Sequence, residues 1–214
     1  MTNLWNVMRR RRVLVIAIGV VLAAGVGTSA ALLGPRLLSS TESPAAAKTA
    51  NVADSAPKPV PAGVPQFRSD QAGFELAYPA NWTRLSPKDP QVILLVSQGT
   101  QDSFLVRVSE LQQSVGPQDL PALRQITDKL VTANKSVQML TEPKQVELGG
   151  LPGFFYFYNF KDPSSGQEGT HSHFFLFNGK TMMSLVFQSL PKEHFAESAK
   201  TFDQIAGSFR ALKK

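Results

Sequence analysis

The chain has 214 residues, no cysteine and a formal net charge of +6. The absence of cysteine excludes disulfides, thiolate metal sites, a cysteine nucleophile and the lipid-modified cysteine of bacterial lipoproteins. The charge is uneven, because residues 1–65 carry +5 whereas residues 66–214 have 15 basic and 14 acidic side chains. A near-neutral second part excludes the basic surface that is typical of a nucleic-acid-binding domain.

The first predicted element is an uncharged apolar run, Val13–Leu33. As a helix it would be roughly 31 Å long, close to the ~30 Å hydrocarbon core of a bilayer. Arg9–Arg12 precede it, and basic flanks stay on the cytoplasmic side. A cleaved signal peptide is the alternative, but the run exceeds the usual apolar length and no A-x-A site precedes Gly34. We therefore expect a signal anchor spanning the cell membrane once, with residues 1–12 as a cytoplasmic basic tail.

Two further segments follow the anchor, and both are expected outside the cytoplasm. Residues 34–65 are rich in Pro, Ala and Ser and poor in large apolar side chains, which predicts a disordered linker. Residues 66–214 are 149 residues long, the size of one ordinary domain with its own core.

The first half of this domain contains three predicted strands and a helix. Alternation over Gly73–Pro79 predicts a short strand, after which Trp82 is expected to fold back into the core. Gln91–Gln98 and Ser103–Leu111 are β-rich runs separated by a Gly-containing turn, which predicts a hairpin. Asp119 is a candidate cap for an amphipathic helix that continues to about Ala133 and packs on the sheet.

The second half begins with further strands. Val137–Leu140 and Gln145–Leu148 are short, whereas Phe154–Phe160 is apolar at both odd and even positions, as in a central strand covered on both faces. A predicted hairpin follows, with arms Thr170–Phe177 and Thr181–Gln188.

Asn178-Gly179 is the strongest short hairpin signal in the chain. As a two-residue loop it would place His173 opposite Ser184. The last element, from about Lys192 to Phe209, has one apolar stripe at helical spacing and is predicted to lie across the sheet.

Two features of this pattern resemble the PsbP-like superfamily. They are an early Phe74–Tyr78–Pro79–Trp82 motif and the closing segment Phe195–Arg210, with the aromatic hairpins between them. The resemblance implies an α+β fold, an α/β/α sandwich with a central antiparallel β-sheet flanked by helices. Similar families include an extrinsic photosystem II subunit, Ran-binding import factors and mycobacterial lipoproteins, which act mainly as binding or assembly modules. The resemblance carries no catalytic signature, so it implies no active-site residue.

The one clustered candidate site lies on the predicted hairpin. Side chains two apart in a strand share a face, so His171 and His173 fall on one side of it. That side mixes apolar and polar groups and could form the base of a shallow ligand pocket. We assign the candidate ligand-binding residues as His171, His173, Phe175, Phe177, Met182 and Ser184. A metal site and ordinary sheet histidines remain alternatives, although zinc requires three or four ligands and Glu168 is the nearest acidic side chain.

No motif for catalysis stands out. The chain has no G-x-S-x-G and no Gly-rich phosphate loop, so no catalytic residue, metal or cofactor is assigned. We expect a membrane-anchored binding or assembly module that is not an enzyme. Its partners would be an envelope protein or a small apolar ligand, the bilayer through Val13–Leu33, and no nucleic acid. The alternatives are a carrier or sensor of a small apolar ligand and, third, a metal-assisted hydrolase that uses His171 and His173.

Overall fold

The computed structural model describes residues 66–99 and 102–213. The basic tail, the anchor Val13–Leu33 and the linker 34–65 therefore lie outside the described residues, as do Thr100, Gln101 and Lys214. Among the described residues no helix is long and apolar enough to span a membrane. The elements are β1 Gln66–Ser69, β2 Phe74–Ala77, β3 Thr83–Arg84, β4 Val92–Gln98, β5 Asp102–Val115, α1 Leu120–Thr132, β6 Gln138–Met139, β7 Lys144–Leu148, β8 Leu151–Lys161, β9 Glu168–Ser189, α2 Phe195–Ser208 and β10 Arg210–Ala211.

Two antiparallel sheets contain all of these strands. The larger sheet has seven strands in the order β3-β4-β5-β9-β8-β6, with β7 also paired to β8. The smaller sheet has the order β1-β2-β10 and joins the two ends of the described chain. An antiparallel sheet with two helices confirms the predicted α+β class.

The predicted hairpin around Gly179 forms within β9. A straight strand would separate His171 from Gln188 by roughly 55 Å. Instead, the His171 Nε2 and Gln188 Oε1 atoms are 2.9 Å apart, so β9 folds back on itself. Its first arm pairs with β8 and its second arm pairs with β5.

The turn lies slightly further along the chain than predicted. With Asn178-Gly179 as the loop, Phe174 would lie opposite Met183. Phe187 would then lie roughly 13 Å further along the strand than Met183. The rings of Phe174 and Phe187 are 6.2 Å apart, which favours a reversal centred on Gly179 and Lys180. Gly179 has a φ of 56°, and no non-glycine residue within 66–99 or 102–213 has a positive φ. That suits a turn with glycine at its first central position rather than one that needs two positive φ angles.

The two helices cover opposite faces of the large sheet. Phe202, Ile205 and Ala206 of α2 join the larger core cluster. Leu123 and Val131 of α1 join the second cluster on the other face. The result is a helix–sheet–helix arrangement, as predicted.

Local predictions around these cores are mostly confirmed. Trp82 is buried, and its ring packs edge-on against Phe202 at 6.1 Å. β8 is buried at even positions from Phe154 to Phe160, while Phe155 and Phe157 on its other face are half-buried. The side chain of Asp119 does not cap α1. It accepts a hydrogen bond of 2.9 Å from the Gly116 N–H of the preceding 3₁₀ turn instead.

Gly153 is a position where the close approach of two strands requires glycine. A Cβ atom there would lie 1.9 Å from the carbonyl oxygen of Phe175 on β9. We expect Gly153→Ala to destabilise the domain by about 1–3 kcal/mol, because β8 and β9 must separate to admit the methyl group. Gly207→Ala is the matched control, since its Cβ would meet no atom within 4 Å outside its own helix. Urea unfolding of both variants measures the difference, and equal midpoints would contradict the prediction.

Candidate functional site

The six residues predicted to bind a ligand lie on one face of β9, beneath α1. Phe175, Phe177 and Met182 belong to the second core cluster and are 2–4% exposed. His173 and Ser184 are also buried, and His171 is partly exposed. The structure therefore brings the predicted residues to one face, but α1 covers much of it. That this face binds a ligand stays a prediction.

Two histidines on this face are joined through a tyrosine of the neighbouring strand. Tyr158 on β8 lies opposite His171 in the strand register. Its hydroxyl is 3.1 Å from the Nδ1 atom of His171 and 3.2 Å from the Nδ1 atom of His173. Gln188 completes the row through its contact with His171. We call these four residues the His–Tyr chain.

The donors along the His–Tyr chain follow from the orientation of Gln188. If Oε1 of Gln188 accepts, His171 is protonated on Nε2 and its Nδ1 accepts the Tyr158 hydroxyl. The Tyr158 oxygen then accepts from Nδ1–H of His173, whose Nε2 keeps a lone pair. If the Gln188 amide is rotated so that its NH₂ group faces His171, the donor and the acceptor change places in every hydrogen bond of the chain. In both cases Nε2 of His173 ends the chain, buried and without a hydrogen-bond partner among the described residues.

Burial keeps both imidazoles neutral near pH 7. It lowers the pKa of His171 to about 4, against the opposing effect of its hydrogen bond to Gln188. Burial also lowers the pKa of His173 well below its usual value, and the nearby His171 adds to this. The pKa of Tyr158 is raised by burial alone. A neutral imidazole has one donor and one acceptor nitrogen, so His173 Nε2 can accept a hydrogen bond from a bound group in the first arrangement and donate one in the second.

A second polar cluster fastens α1 to β8 beside this chain. The Tyr156 hydroxyl donates to Oδ1 of Asp128 at 2.7 Å and lies 2.6 Å from Oγ1 of Thr127. Arg124 binds the same Asp128 oxygen at 2.8 Å and donates to the Pro143 carbonyl at 3.1 Å. We call this cluster the α1 latch. It holds the helix over the predicted ligand face.

The residues of the α1 latch and Tyr158 were not predicted as site residues, although the sequence contains a partial signal for them. Tyr156 and Tyr158 are two apart in a strand and therefore share a face, and Arg124 and Asp128 have the i,i+4 spacing of a helical ion pair. That Tyr156 would meet α1 was not predictable. It depends on which face of β8 the helix covers, and this is a long-range property.

Removing the Tyr156 hydroxyl tests the strength of the α1 latch. We expect Tyr156→Phe to lower the free energy of unfolding by about 1.5–3 kcal/mol, because a partly buried hydrogen bond to a carboxylate is lost. Tyr78→Phe removes the same atom from a half-buried side chain and is the control. Urea unfolding monitored by fluorescence compares the two. A Tyr156→Phe variant as stable as the control would show that the latch contributes nothing.

The condition for a metal-assisted hydrolase is not met in the part of the chain that the structure describes. No group of three His, Asp or Glu side chains there could hold a metal ion. The Nδ1 atoms of both His171 and His173 also face Tyr158, so these nitrogens are engaged within the sheet.

Known proteins share this fold at low sequence identity. No protein-family model matches the chain, and no curated protein matches it either. Cyanobacterial PsbP (CyanoP) from Synechocystis aligns with 14% identity and a TM-score of 0.52, over 70% of this chain and 92% of that one. LpqN, described as involved in cell envelope biogenesis of Mycobacterium tuberculosis, aligns with 11% identity and a TM-score of 0.52, over 71% and 86%.

A third solved structure, from Bacteroides thetaiotaomicron, aligns with 18% identity and a TM-score of 0.49 over 70% of this chain. The match spans 48% of the length of that chain. At these identities the comparisons bear on the fold alone. The sheet order, the two flanking helices and the match to CyanoP together show that the described domain has the PsbP-like fold.

Proposed function

We propose that the protein is a binding or assembly module without catalytic activity of its own, held outside the cytoplasm by the anchor Val13–Leu33. The arginines before the anchor and the near-neutral charge of residues 66–214 support this arrangement. The shared fold with LpqN, described as involved in cell envelope biogenesis, supports an envelope role.

Two apolar side chains at the edge of the large sheet are the observation that carries this proposal. Met139 and Leu140 are 39% and 44% exposed, the exposed large hydrophobic residues among those described. Met139 lies on β6, the last strand of the sheet on this side, and Leu140 directly follows it. The Leu140 N–H donates to the Phe157 carbonyl at 2.9 Å, so the edge continues past β6. Adjacent exposed apolar side chains on a sheet edge are typical of an interaction site.

The geometry of this edge favours an extended peptide segment as partner. An edge strand presents unpaired N–H and C=O groups that can pair with an added strand. Met139 and Leu140 would supply apolar contacts to alternate side chains of that strand. We therefore propose that the partner is an envelope protein that adds an apolar extended segment beside β6.

Photo-crosslinking from the β6 edge tests this proposal. A photoreactive phenylalanine analogue placed at Leu140 in the full chain is expected to give a discrete protein adduct in intact cells. The same analogue at Lys200, an exposed position on α2, is the matched control. The adduct should disappear when Met139→Lys is added. No adduct at Leu140, or the same adducts from both positions, would contradict a docking role for this edge.

A second candidate function is carriage of a small ligand beneath α1. The observation in its favour is the buried Nε2 of His173, which lacks a partner among the described residues. A largely apolar ligand with one hydrogen-bonding group would satisfy that atom and contact Phe175 and Met182. Entry would require the α1 latch to open.

Native mass spectrometry of the purified full chain tests the second candidate. A co-purifying small molecule that is lost in His173→Leu would support it. The apo mass alone, in the wild-type chain and in the variant, would rule it out.

A further inference from the structure

A surface cavity lies at the corner where β6, β8 and β9 meet. Its volume is about 150 Å³, large enough for a small oxyanion and several waters. Its lining is mostly polar and consists of Lys135, Ser136, Gln138, Asn159, Phe160, Lys161 and Glu168. No function considered so far uses these residues.

Positive charge predominates around this cavity. Lys135 and Lys161 are exposed, and neither forms an ion pair with a described residue. The one carboxylate in the lining, Glu168, is already bonded to Lys192 outside the cavity. That bond lowers the pKa of Glu168, with a smaller contribution from Lys161. Because Lys192 balances the charge of this carboxylate, the two lysines of the lining, Lys135 and Lys161, leave the cavity with a positive charge.

Two side-chain amides can supply hydrogen-bond donors to the cavity. Oδ1 of Asn159 accepts a hydrogen bond of 2.7 Å from Oγ1 of Thr170, which leaves the Asn159 Nδ2 hydrogens available. Oγ of Ser136 donates to Asn134 at 2.8 Å and accepts from the Lys161 N–H at 3.0 Å. Its single O–H is thus used within the chain, so Ser136 offers the cavity no donor. Gln138 lies opposite Asn159 in the strand register and adds a second amide at the mouth.

We propose that this cavity binds a phosphate group, held by Lys135, Lys161 and the side-chain amide of Asn159. Lysine is a common phosphate ligand, and two cations match the charge of a phosphate near neutral pH. The cavity has room for the phosphate group alone, so the rest of a larger ligand would lie outside it. The phosphate could belong to an anionic lipid headgroup or be free in solution.

Lysine modification of the full chain in a phosphate-free maltoside detergent tests this site. The rate of acetylation of each lysine is read by mass spectrometry. Millimolar inorganic phosphate is expected to slow modification of Lys135 and Lys161 at least threefold, while Lys88 and Lys200 remain unchanged. Chloride at equal ionic strength controls for screening. A parallel sample receives phosphatidylglycerol in mixed micelles instead of phosphate.

Two variants with the same change of charge separate the site from general electrostatics. Asn159→Asp should abolish the protection, because a carboxylate replaces the donor amide with almost no change of shape. Gln204→Glu, on the exposed side of α2, should leave it intact. Lys135→Gln, at an exposed position, should weaken the protection of Lys161 without affecting folding.

The outcomes distinguish free phosphate from a lipid headgroup as the ligand, and both of these from the absence of a phosphate site. Protection by inorganic phosphate supports the site with free phosphate as ligand. Protection by phosphatidylglycerol alone supports the site with a lipid headgroup as ligand. No protection in either sample, or equal protection by chloride, would overturn the proposal. None of these results depends on a protein partner at the β6 edge.

Discussion

Replacing Phe187 with alanine is expected to lower the free energy of unfolding by about 3–5 kcal/mol, the usual range for a buried phenylalanine. Phe187 is fully buried in the second arm of β9. Its ring stacks on Phe104 of β5 at 4.4 Å between centroids and contacts Phe202 of α2 at 5.3 Å. The truncation would leave a cavity where β5, β9 and α2 meet, and the fully buried side chains around it have little room to move in.

Phe157→Ala is the matched control for this prediction. Phe157 lies in the same sheet but is half-buried, so the same truncation removes less buried area and is expected to cost about half as much. Urea unfolding of the full chain, followed by the fluorescence of buried Trp82, measures both. Equal losses in the two variants would show that the larger core does not centre on Phe187.

Acidification from pH 7 to pH 5 is expected to lower the free energy of unfolding by about 2 kcal/mol through His171 alone. The pKa of His171 is about 4 in the folded domain, against 6.5 in the unfolded chain. Between these values the unfolded state binds more protons, so stability is full above about pH 6.5 and falls as the pH drops toward 4. His173 acts in the same direction, since burial lowers its pKa too.

Other groups titrate outside that window or oppose it. The pKa values of Asp162 and Glu168 are lowered in the folded domain, so both carboxylates contribute stability near neutral pH. That stability is lost only at more acidic pH, as the pH falls through the pKa of each group in the folded domain. Burial raises the pKa of Asp203, which has the opposite sign near pH 4. A decline between pH 7 and pH 5 therefore reports on the histidines.

The slope of stability against pH is the measurement, rather than stability at one pH. His171→Gln with His173→Gln should flatten the slope between pH 7 and pH 5, whatever its effect at pH 7. His194→Gln, outside the His–Tyr chain, is the matched control for the loss of a histidine. A double variant with the wild-type slope would show that both imidazoles are already protonated or hydrated in the folded domain.

Most elements of the fold were predictable because their signals are local. Alternation, turn residues and the helical stripe before Phe209 each act within a few residues. The small sheet was not predictable, because Arg210 and Ala211 become a strand only by pairing with Glu75 and Phe74 at the other end of the domain. Two residues carry too little pattern to indicate a strand.

The candidate site was predictable in part for the same reason. Spacing placed His171 and His173 on one face, which the structure bears out. Their bridge through Tyr158 depends on the register between β8 and β9, and the exact register was not readable from the two strands separately. The covering of Phe175 and Met182 by α1 likewise depends on which face the helix selects. Both features arise from tertiary packing.

The orientation of the anchored domain is the claim on which the proposed function depends most directly. Because the chain has no cysteine, Lys200→Cys on α2 and Thr2→Cys in the basic tail each create a unique thiol. In intact cells a membrane-impermeant maleimide is predicted to label Lys200→Cys, whereas Thr2→Cys should react only after lysis. Labelling of Thr2→Cys with protection of Lys200→Cys would contradict the account, as would release of the labelled domain from the membrane without Val13–Leu33.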